Sequence, residues 1–412
     1  MNAPVDAFWD SWDSLQQRGG APVDVTELTA CPLALPDGEN IAPREWLYGH
    51  RLIRRFVSVL AAPGGVGKSA LALAQAVAVA VGKPLLGERI HARVPVWLLN
   101  LEDPLEELHR RLAAFLRLHA LDRAELDGFF YLHSGRDRRV IMAELDAAGV
   151  VHPDRDALIA AAKARGIGLI VVDPFVKSHR LNENDNILID AAATAWAEVA
   201  QATGAAILLV HHVRKGAAGD IDAARGAKAL TDAARSASLL SPMTSEEAEE
   251  FALPAGERWR FVRLDDAKAN LAPRATAARW YRLGTVALGN ATEAYPEGDH
   301  VAAVTAWTPP SPLADLSPAD CNQALDELAA GPGGGLAYLA KPSSKAPHRW
   351  GGRVLTRFGL TDAQAARVLA LWLRSGLLAE QSYRDAANRP HRLGLRVVDA
   401  RRPTASPQNM EI

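Results

Sequence analysis

The residues with the clearest chemical meaning form a glycine-rich turn that ends in lysine and serine. The stretch Ala62-Pro63-Gly64-Gly65-Val66-Gly67-Lys68-Ser69 follows an apolar run and opens an Ala/Leu/Val-rich segment. A strand, a glycine turn and a helix in this order predict a loop whose backbone N–H groups surround a phosphate. Lys68 would reach the outer phosphates, and the Ser69 hydroxyl would bind Mg²⁺. Ala62 stands where this pattern has its first glycine.

A carboxylate for the metal is supplied by a second apolar run. Leu169-Ile170-Val171-Val172-Asp173 indicates a buried strand that ends in an acid. An acid after a strand is often only a cap, but its position after the glycine turn favours a role in holding Mg²⁺, through water. The residues predicted to bind the nucleotide and its metal are Pro63, Gly64, Gly65, Val66, Gly67, Lys68, Ser69, Ala70 and Asp173.

Hydrolysis also needs a group that activates water. The strand-like run at 96–101 ends in Glu102 and Asp103. Glu102 is the candidate general base and Asp103 is its competitor. Asp103 could instead cap a helix that begins at Pro104, since proline suits the first helical position. Both interpretations hold together if Glu102 is catalytic and Asp103 caps.

A third apolar run, 206–210, ends at His211 and His212. Adjacent residues of a strand point to opposite sides, so the two rings are not expected to share a metal. A buried core histidine is one interpretation. The functional one is a hydrogen-bonding sensor of the γ-phosphate.

The segment 213–225 that follows contains glycines together with Arg214, Lys215 and Arg225. It is predicted to be a mobile basic loop that binds a nucleic-acid single strand, although a long solvated connection also fits. Arg225 or Arg235 would reach a neighbouring subunit's nucleotide as an arginine finger, or would form ordinary surface ion pairs.

Alternating strand-like and helix-like patterns position these residues. Strands are predicted at 56–61, 94–101, 128–132, 167–173 and 205–211, and helices at 68–81, 104–119, 154–165 and 187–203. This alternation predicts an α/β fold, a mostly parallel sheet with helices on both faces. Antiparallel additions are expected at 237–240, 258–264 and 278–288.

The predicted domain organisation has five parts: an irregular leader at 1–45, the α/β domain at 46–290, a Pro-rich linker at 291–316, a winged-helix-like domain at 317–400 and a tail at 401–412. The winged-helix interpretation rests on helices at 318–330 and 361–375 followed by two strands, at 377–381 and 391–398.

Composition narrows the class of protein. The chain has 412 residues, a formal net charge of −2 and two cysteines, Cys31 and Cys321. A nucleic-acid surface would therefore be a local patch. Neither a disulfide framework nor a zinc site is expected. The start of the chain does not resemble a signal peptide, and no apolar run is long enough to span a bilayer. A cytoplasmic protein without a membrane partner is expected.

Taken together, these residues resemble the RecA-like ATPase core of RepA-type hexameric replicative helicases, relatives of the DnaB class. The resemblance covers roughly residues 45–290. Its motifs are Ala62–Ser69, Asn100-Leu101-Glu102-Asp103, Val171-Val172-Asp173-Pro174, His211-His212, Ala224-Arg225-Gly226-Ala227, Arg235 and the stretch 241–250.

The resemblance implies a role for each matching residue. Lys68 and Ser69 would bind the phosphates and Mg²⁺ of ATP, and Asp173 would be the metal-associated acid. Glu102 would be the catalytic base. His211 or His212 would be the phosphate sensor, and Arg235 would be the arginine finger. The family can have a second acid after Asp173, where this chain has Pro174.

The resemblance also implies partners and an activity. It implies a homo-hexameric ring with ATP between subunits and single-stranded DNA in the channel, and a replication initiator or primase as a further partner. The expected function is an ATP-hydrolysing DNA helicase or translocase that acts during replication. The alternative is an ATP-dependent DNA-binding regulator or adaptor without unwinding activity. Its DNA contacts would come from the basic residues His348, Arg349, Arg353, Arg357 and Arg367.

Overall fold

The structure, a computed structural model, describes residues 38–213 and 227–402, apart from residues 252, 276, 311, 312, 314 and 315. The chain divides into two units, Met1–Arg44 and Glu45–Ile412. In the first unit the described part contains the 3₁₀ turn Gly38–Asn40. The elements below belong to the second unit. Within the described ranges, none of the helices has the length and apolar character that a membrane crossing requires.

The strands are β1 (Trp46–Tyr48), β2 (Leu52–Ile53), β3 (Val57–Pro63), β4 (Val96–Asn100), β5 (Phe130–Ser134), β6 (Ala143–Asp146), β7 (Gly149–Val151), β8 (Leu169–Asp173), β9 (His179–Arg180), β10 (Ala206–Val213), β11 (Ser236–Pro242), β12 (Phe261–Ala269), β13 (Arg279–Ala287), β14 (His300–Trp307), β15 (Leu378–Arg384) and β16 (Pro390–Val397). The α-helices are α1 (Lys68–Val81), α2 (Leu105–Leu118), α3 (Arg155–Ala164), α4 (Asn186–Thr203), α5 (Ala227–Ala233), α6 (Ser245–Glu250), α7 (Pro318–Ala330), α8 (Gly352–Thr356) and α9 (Asp362–Arg374).

Nine of these strands form one sheet, in the order β14-β13-β12-β11-β3-β10-β8-β4-β5. The neighbours from β11 to β5 pair in parallel, and β12, β13 and β14 add antiparallel strands at one side. The predicted α/β fold with a mostly parallel sheet is confirmed. The strand predicted at 237–240, here β11, is expected from its sequence to be antiparallel. It is antiparallel to β12, but the prediction is wrong for its other neighbour, β3. Because α5 carries the chain back across the sheet, β11 runs parallel to β3.

Helices cover both faces of this sheet. Leu71 of α1 and Phe115 of α2 belong to one apolar core. Leu158 of α3, Trp196 of α4 and Leu230 of α5 belong to the other. A strand with a helix layer on each face buries its side chains on both sides. This explains why the central strands are continuous apolar runs instead of alternating ones.

Two features lie outside the predicted core of the sheet. Strand β14 falls within 291–316, the range predicted to be a linker, and pairs with β13 along its whole length. Beyond it, α7, α8, α9, β15 and β16 share an apolar core of their own, which includes Leu325, Val354 and Trp372. The predicted helices and strand pair of this region are confirmed, whereas the winged-helix arrangement remains a prediction.

Several basic residues proposed for DNA contact in that region are engaged within the fold. Arg357 lies 2.7 Å from Glu327 and Arg367 lies 3.0 Å from Glu250. Arg349 donates to the hydroxyl of Tyr383 at 2.5 Å. Arg349 and Arg357 therefore form bonds within the region itself, whereas Arg367 connects the region to α6.

Candidate nucleotide site

The phosphate-binding loop joins the end of β3 to the start of α1, as the sequence predicts. Gly65 and Gly67 have φ angles of 82° and 84°. Backbone of this left-handed kind is unfavourable for residues that carry a Cβ. At Gly67 space is also short, because an added Cβ would lie 2.8 Å from Cδ2 of Leu283. The helix then begins directly, since the N–H of Leu71 donates to the carbonyl of Gly67 at 3.0 Å.

Ala62 shows why the loop tolerates a departure from the expected first glycine. The residue lies within β3, is fully buried, and pairs with His212 of β10. It is not among the residues with positive φ. A strand position of this kind does not need glycine, and the methyl group contributes to the apolar core.

The parallel register brings the predicted acids to the same edge of the sheet as the loop. Asp173, the last residue of β8, pairs with Asn100, the last residue of β4. The N–H of Leu101 donates to the carbonyl of Asp173 at 2.8 Å. Strand β10 lies between β8 and β3 and also ends at this edge. Parallel strands present their carboxyl ends together, which is where ligands bind in open α/β sheets.

Asp173 lies beside the residues predicted to accompany it. Its carboxylate lies beside the Ser69 side chain and within electrostatic range of Lys68. Asp173 is 3% exposed and Lys68 is 8% exposed. Burial raises the pKa of Asp173, while the Ser69 side chain and the Lys68 charge act in the opposite direction.

This pair of oxygens fits a hard cation. Mg²⁺ is usually held by one or two protein oxygens together with water and substrate phosphates. A hydroxyl and a buried carboxylate that lie side by side supply such a set, and Lys68 adds a positive charge for the phosphates. The geometry therefore suits the predicted Mg²⁺ ligands, Ser69 and Asp173.

Glu102 is presented by a turn that Asn100 shapes. The Oδ1 atom of Asn100 accepts from the N–H groups of Glu102 at 3.0 Å and Asp103 at 2.8 Å. Arg136 donates from Nε to the carbonyl of Glu102 at 2.7 Å. The Glu102 side chain is exposed and lies within electrostatic range of Asp173 and His212. The candidate base is thus at the edge where the nucleotide would lie.

Asp103 does not cap the following helix, so that prediction is wrong. Pro104 is itself the N-cap of α2, in an extended conformation and without a side-chain cap bond. The Asp103 carboxylate instead accepts from Arg111 at 2.7 Å and from Asn100 at 3.3 Å. Asp103 therefore bonds to a side chain of α2 and not to the N–H groups at its start.

Arg111 is a site residue that sequence reasoning missed. It lines a cavity of about 450 Å³ against the phosphate loop, together with Lys68 and Ser69. Its Nε also donates to Glu107 at 3.0 Å. The spacing of Glu107 and Arg111, one turn apart on α2, marks the charged face of this helix. An ordinary ion pair on the surface of a helix has the same spacing, so the sequence alone does not mark Arg111 as part of the site.

The second wall of this cavity comes from far along the chain. Asp299 and His300, at the start of β14, line it. The wall is fixed to α2, because Arg110 lies 3.1 Å from Asp299 and Arg117 donates to the carbonyls of Ala287 and Leu288. The antiparallel strands thus close over the phosphate loop.

The two histidines separate, as adjacent strand residues should. His212 is exposed, and burial, then the Lys68 charge, lower its pKa. His211 is 7% exposed and lies on the other side, with its ring centroid 6.2 Å from that of Phe175. Burial lowers the pKa of His211 to about 4, with smaller contributions from His212 and His179. Of the two rings, His212 is the one near the phosphate loop.

The predicted arginine finger is not part of this cluster. The N–H of Arg235 donates to the carbonyl of Val57, the first residue of β3, and its side chain is exposed. The phosphate loop follows the other end of that strand. Seven residues of β3 place the two ends roughly 20 Å apart. The other predicted basic residues, Arg214, Lys215 and Arg225, lie outside the described residues.

Comparison with known proteins agrees with the nucleotide site. Residues 25–218 match a family described as an AAA domain. Among solved structures, the crystal structure of the RadB recombinase is similar at 14% identity and a TM-score of 0.37, over 56% of this chain and 87% of that chain. That likeness carries no argument, and the α/β fold follows from the strand order alone. Residues 25–218 are therefore similar to an AAA domain, and the geometry of the loop suits the binding of a nucleotide's phosphates.

Proposed function

We propose that the protein is an ATP-driven motor that translocates on single-stranded DNA, or unwinds DNA, during replication. The observation that carries the proposal is the meeting of an exposed acid, Glu102, with Lys68, Asp173 and His212 at one edge of the sheet. A protein that only binds ATP as a passive switch does not need a water-activating group at this place. Hydrolysis is therefore the activity this geometry supports best.

Each residue has a distinct task in this proposal. Lys68 neutralises the outer phosphates, and Ser69 and Asp173 hold Mg²⁺. The cation, when bound, stabilises negative charge on the phosphate oxygens. Glu102 accepts a proton from the attacking water, for which its exposed carboxylate has access.

His212 is the better candidate for the phosphate sensor. It lies near Lys68 and Glu102, and with its lowered pKa it is neutral at neutral pH. A neutral imidazole can donate one hydrogen bond to a phosphate oxygen and release it when the phosphate departs. His211, buried beside Phe175, suits the role of a support on the opposite face.

The placement of Arg235 supports a shared site between subunits. An exposed arginine at the opposite edge from its own phosphate loop cannot reach that loop, whereas it can face the loop of a neighbour. This is the arrangement that a homo-hexameric ring would use for an arginine finger. Single-stranded DNA as the track, and an initiator or primase as a partner, rest on the family resemblance.

The test is the steady-state ATPase rate of the purified full chain, with and without single-stranded DNA, with Lys68→Ala as the blank. We expect turnover that depends on Lys68 and that single-stranded DNA stimulates. Turnover that is indifferent to DNA would favour the regulator over the motor. Equal turnover in Lys68→Ala would refute the assigned site.

A further inference from the structure

A second and larger cavity lies on the other side of Glu102. Its volume is about 910 Å³, within the range of small-molecule sites. Its walls are the segment 135–141, which follows β5, and the segment 176–180, which follows β8. Glu102 is part of its lining, whereas the phosphate loop is not. We call it the basic cavity, for the reason given below.

The base of the basic cavity is fixed by hydrogen bonds. The N–H of Met142 donates to the carbonyl of Ser178 at 2.7 Å. The indole N–H of Trp196, a fully buried residue, donates to the Ser178 hydroxyl at 3.1 Å. Strands β6 and β9 pair through Ala143 and His179. The two walls are therefore joined to each other and to α4, so the cavity is formed before any ligand binds.

Positive charge dominates the lining. The lining contains two acids, Glu102 and Asp137, and twice as many basic residues: Arg136, Arg139, Lys177 and Arg180. Arg180 is paired with Glu144 at 2.7 Å. In the part of the chain that the structure describes, Arg136, Arg139 and Lys177 form no ion pair. Three cations without a carboxylate partner around one concave surface attract an anion.

His179 belongs to the same wall. It lines the basic cavity and is 6% exposed. Its Nδ1 accepts from the N–H of Leu181 at 3.3 Å, so the proton of the neutral ring lies on Nε2. That Nε2 is buried and has no hydrogen-bond partner among the described residues. Because Nε2 is closed off from the open space of the cavity, His179 contributes its ring to this wall and no free donor.

We propose that the basic cavity binds phosphate groups of a ligand other than the nucleotide on the phosphate loop, and that its occupancy changes the position of Glu102. The phosphates belong either to the backbone of a nucleic-acid single strand or to a free phosphorylated small molecule, since both present the same chemistry. The nucleic-acid source rests on the proposed function, and the small-molecule source does not.

Arg136 connects the two sites. Its guanidinium Nε donates to the backbone carbonyl of Glu102 at 2.7 Å, and the same side chain lines the basic cavity. A phosphate that draws this guanidinium toward itself competes with that carbonyl. The turn that presents Glu102 then shifts, and with it the geometry for activating water. Arg136 is thus a positioning residue.

The experiment compares two double variants of the full chain. R139A/K177A removes two unpaired cations of the basic cavity. R89A/K163A removes an exposed arginine and an exposed lysine that line neither cavity. Both are measured with the phosphate loop filled by ADP and Mg²⁺, and equal melting temperatures show that the folds are intact. The probes are a fluorescein-labelled oligothymidylate, followed by anisotropy, and inorganic pyrophosphate, followed by calorimetry.

We expect R139A/K177A to weaken binding by at least about tenfold, while R89A/K163A binds as the unchanged protein does. If the ligand is a nucleic-acid single strand, the slope of log K against the logarithm of the salt concentration also becomes shallower. Its magnitude falls by about 0.7 for each phosphate that the variant no longer neutralises. Weaker binding of oligothymidylate alone identifies the strand, and weaker binding of pyrophosphate identifies a free phosphorylated ligand.

Two results would overturn the inference: no binding of either probe to the unchanged protein, or equal binding by the two double variants. The ATPase rate of the same preparations, compared with Lys68→Ala, tests the proposed function separately. Lys68-dependent turnover without cavity binding would leave the function standing and remove only this inference. A further variant, Arg136→Ala, should bind the probe more weakly and, at saturating probe, should lose the change in turnover that the probe causes in the unchanged protein.

Discussion

The Ser69 side chain lies beside the carboxylate of Asp173 and lowers the pKa of that carboxyl against the effect of burial, although the two residues belong to different strand–helix units. One residue opens α1 and the other ends β8. Their closeness shows that the sheet brings two separate sequence motifs to one place, the predicted Mg²⁺ site. The carboxylate is buried, so little water competes with a bound cation for its charge.

The first prediction concerns this pair. Ser69→Ala removes one predicted Mg²⁺ ligand beside Asp173, so the Mg²⁺ concentration for half-maximal turnover should rise by about tenfold or more. Ser69→Thr retains the hydroxyl and should need little more Mg²⁺ than the unchanged protein. An ATPase titration with Mg²⁺ at saturating ATP measures both. The same Mg²⁺ requirement in Ser69→Ala would exclude Ser69 as a ligand.

Glu102→Gln should lower kcat by a factor of about 10² to 10⁴, with little change in KM, because the amide cannot accept the proton of water. Asp103→Asn is the matched control, since Asp103 bonds to Arg111 and Asn100 and should affect the rate much less. Single-turnover hydrolysis measures both variants. If Asp103→Asn lowers the rate of hydrolysis more than Glu102→Gln does, Asp103 and not Glu102 is the general base.

The third prediction concerns the glycines of the phosphate loop. Gly65→Ala should cost roughly 1–2 kcal/mol of stability from its positive φ alone, because no atom lies within 4 Å of the added methyl. Gly67→Ala should cost more, since its methyl also meets Leu283. Denaturant unfolding measures both. In a background that already carries Leu283→Ala, Gly67→Ala should cost no more than Gly65→Ala does, because the methyl no longer meets the leucine. A larger cost in that background would contradict the steric clash.

Stability should fall as the pH decreases from about 6.5 to 4. Burial lowers the pKa of His179 and of His211 to about 4, so between these values the unfolded chain binds protons that the folded chain does not. Each histidine contributes a slope of up to about 1.4 kcal/mol per pH unit. His211→Gln and His179→Gln should each reduce that slope, as measured by denaturant unfolding at several pH values. His109→Gln, an exposed histidine, is the control and should leave it unchanged.

Arg235→Ala should abolish turnover on its own and regain part of it when mixed with Lys68→Ala subunits. A mixed assembly contains sites that combine an intact Lys68 with an intact Arg235 from the neighbour. The ATPase rate as a function of mixing ratio measures this. No recovery at any ratio would indicate a role within one subunit or a structural role.

Most of the sheet could be predicted from local sequence. The helix predicted at 68–81 has the same bounds in the structure, and the strand predicted at 167–173 is β8. Both follow from patterns that burial imposes on neighbouring residues: a glycine turn before an Ala-rich helix, and an apolar run covered on both faces. The loop residues, Asp173 and Glu102 lie together because parallel strands share one carboxyl edge.

Other features depend on distant partners and are invisible to local reasoning. Strand β14 lies among prolines that suggested a linker, and only its pairing with β13 makes it part of the sheet. Arg111 belongs to no sequence motif, and Asn100 belongs to one without an assigned role. Their roles come from Asp103 and Glu102, which a turn brings within hydrogen-bond distance. The direction of β11 depends on the helix before it, not on its own residues.

The position of β3 has a consequence for how the chain can be made. This strand carries the phosphate loop, yet its two neighbours are β10 and β11, which lie far downstream. During synthesis β3 leaves the ribosome long before either partner exists, and the wall formed by Asp299 and His300 appears later still. Such non-local pairing folds slowly and exposes apolar strands in the meantime. A nascent chain therefore cannot assemble its nucleotide site in the order in which it is translated, and we expect ATP binding to begin only after the antiparallel strands have emerged.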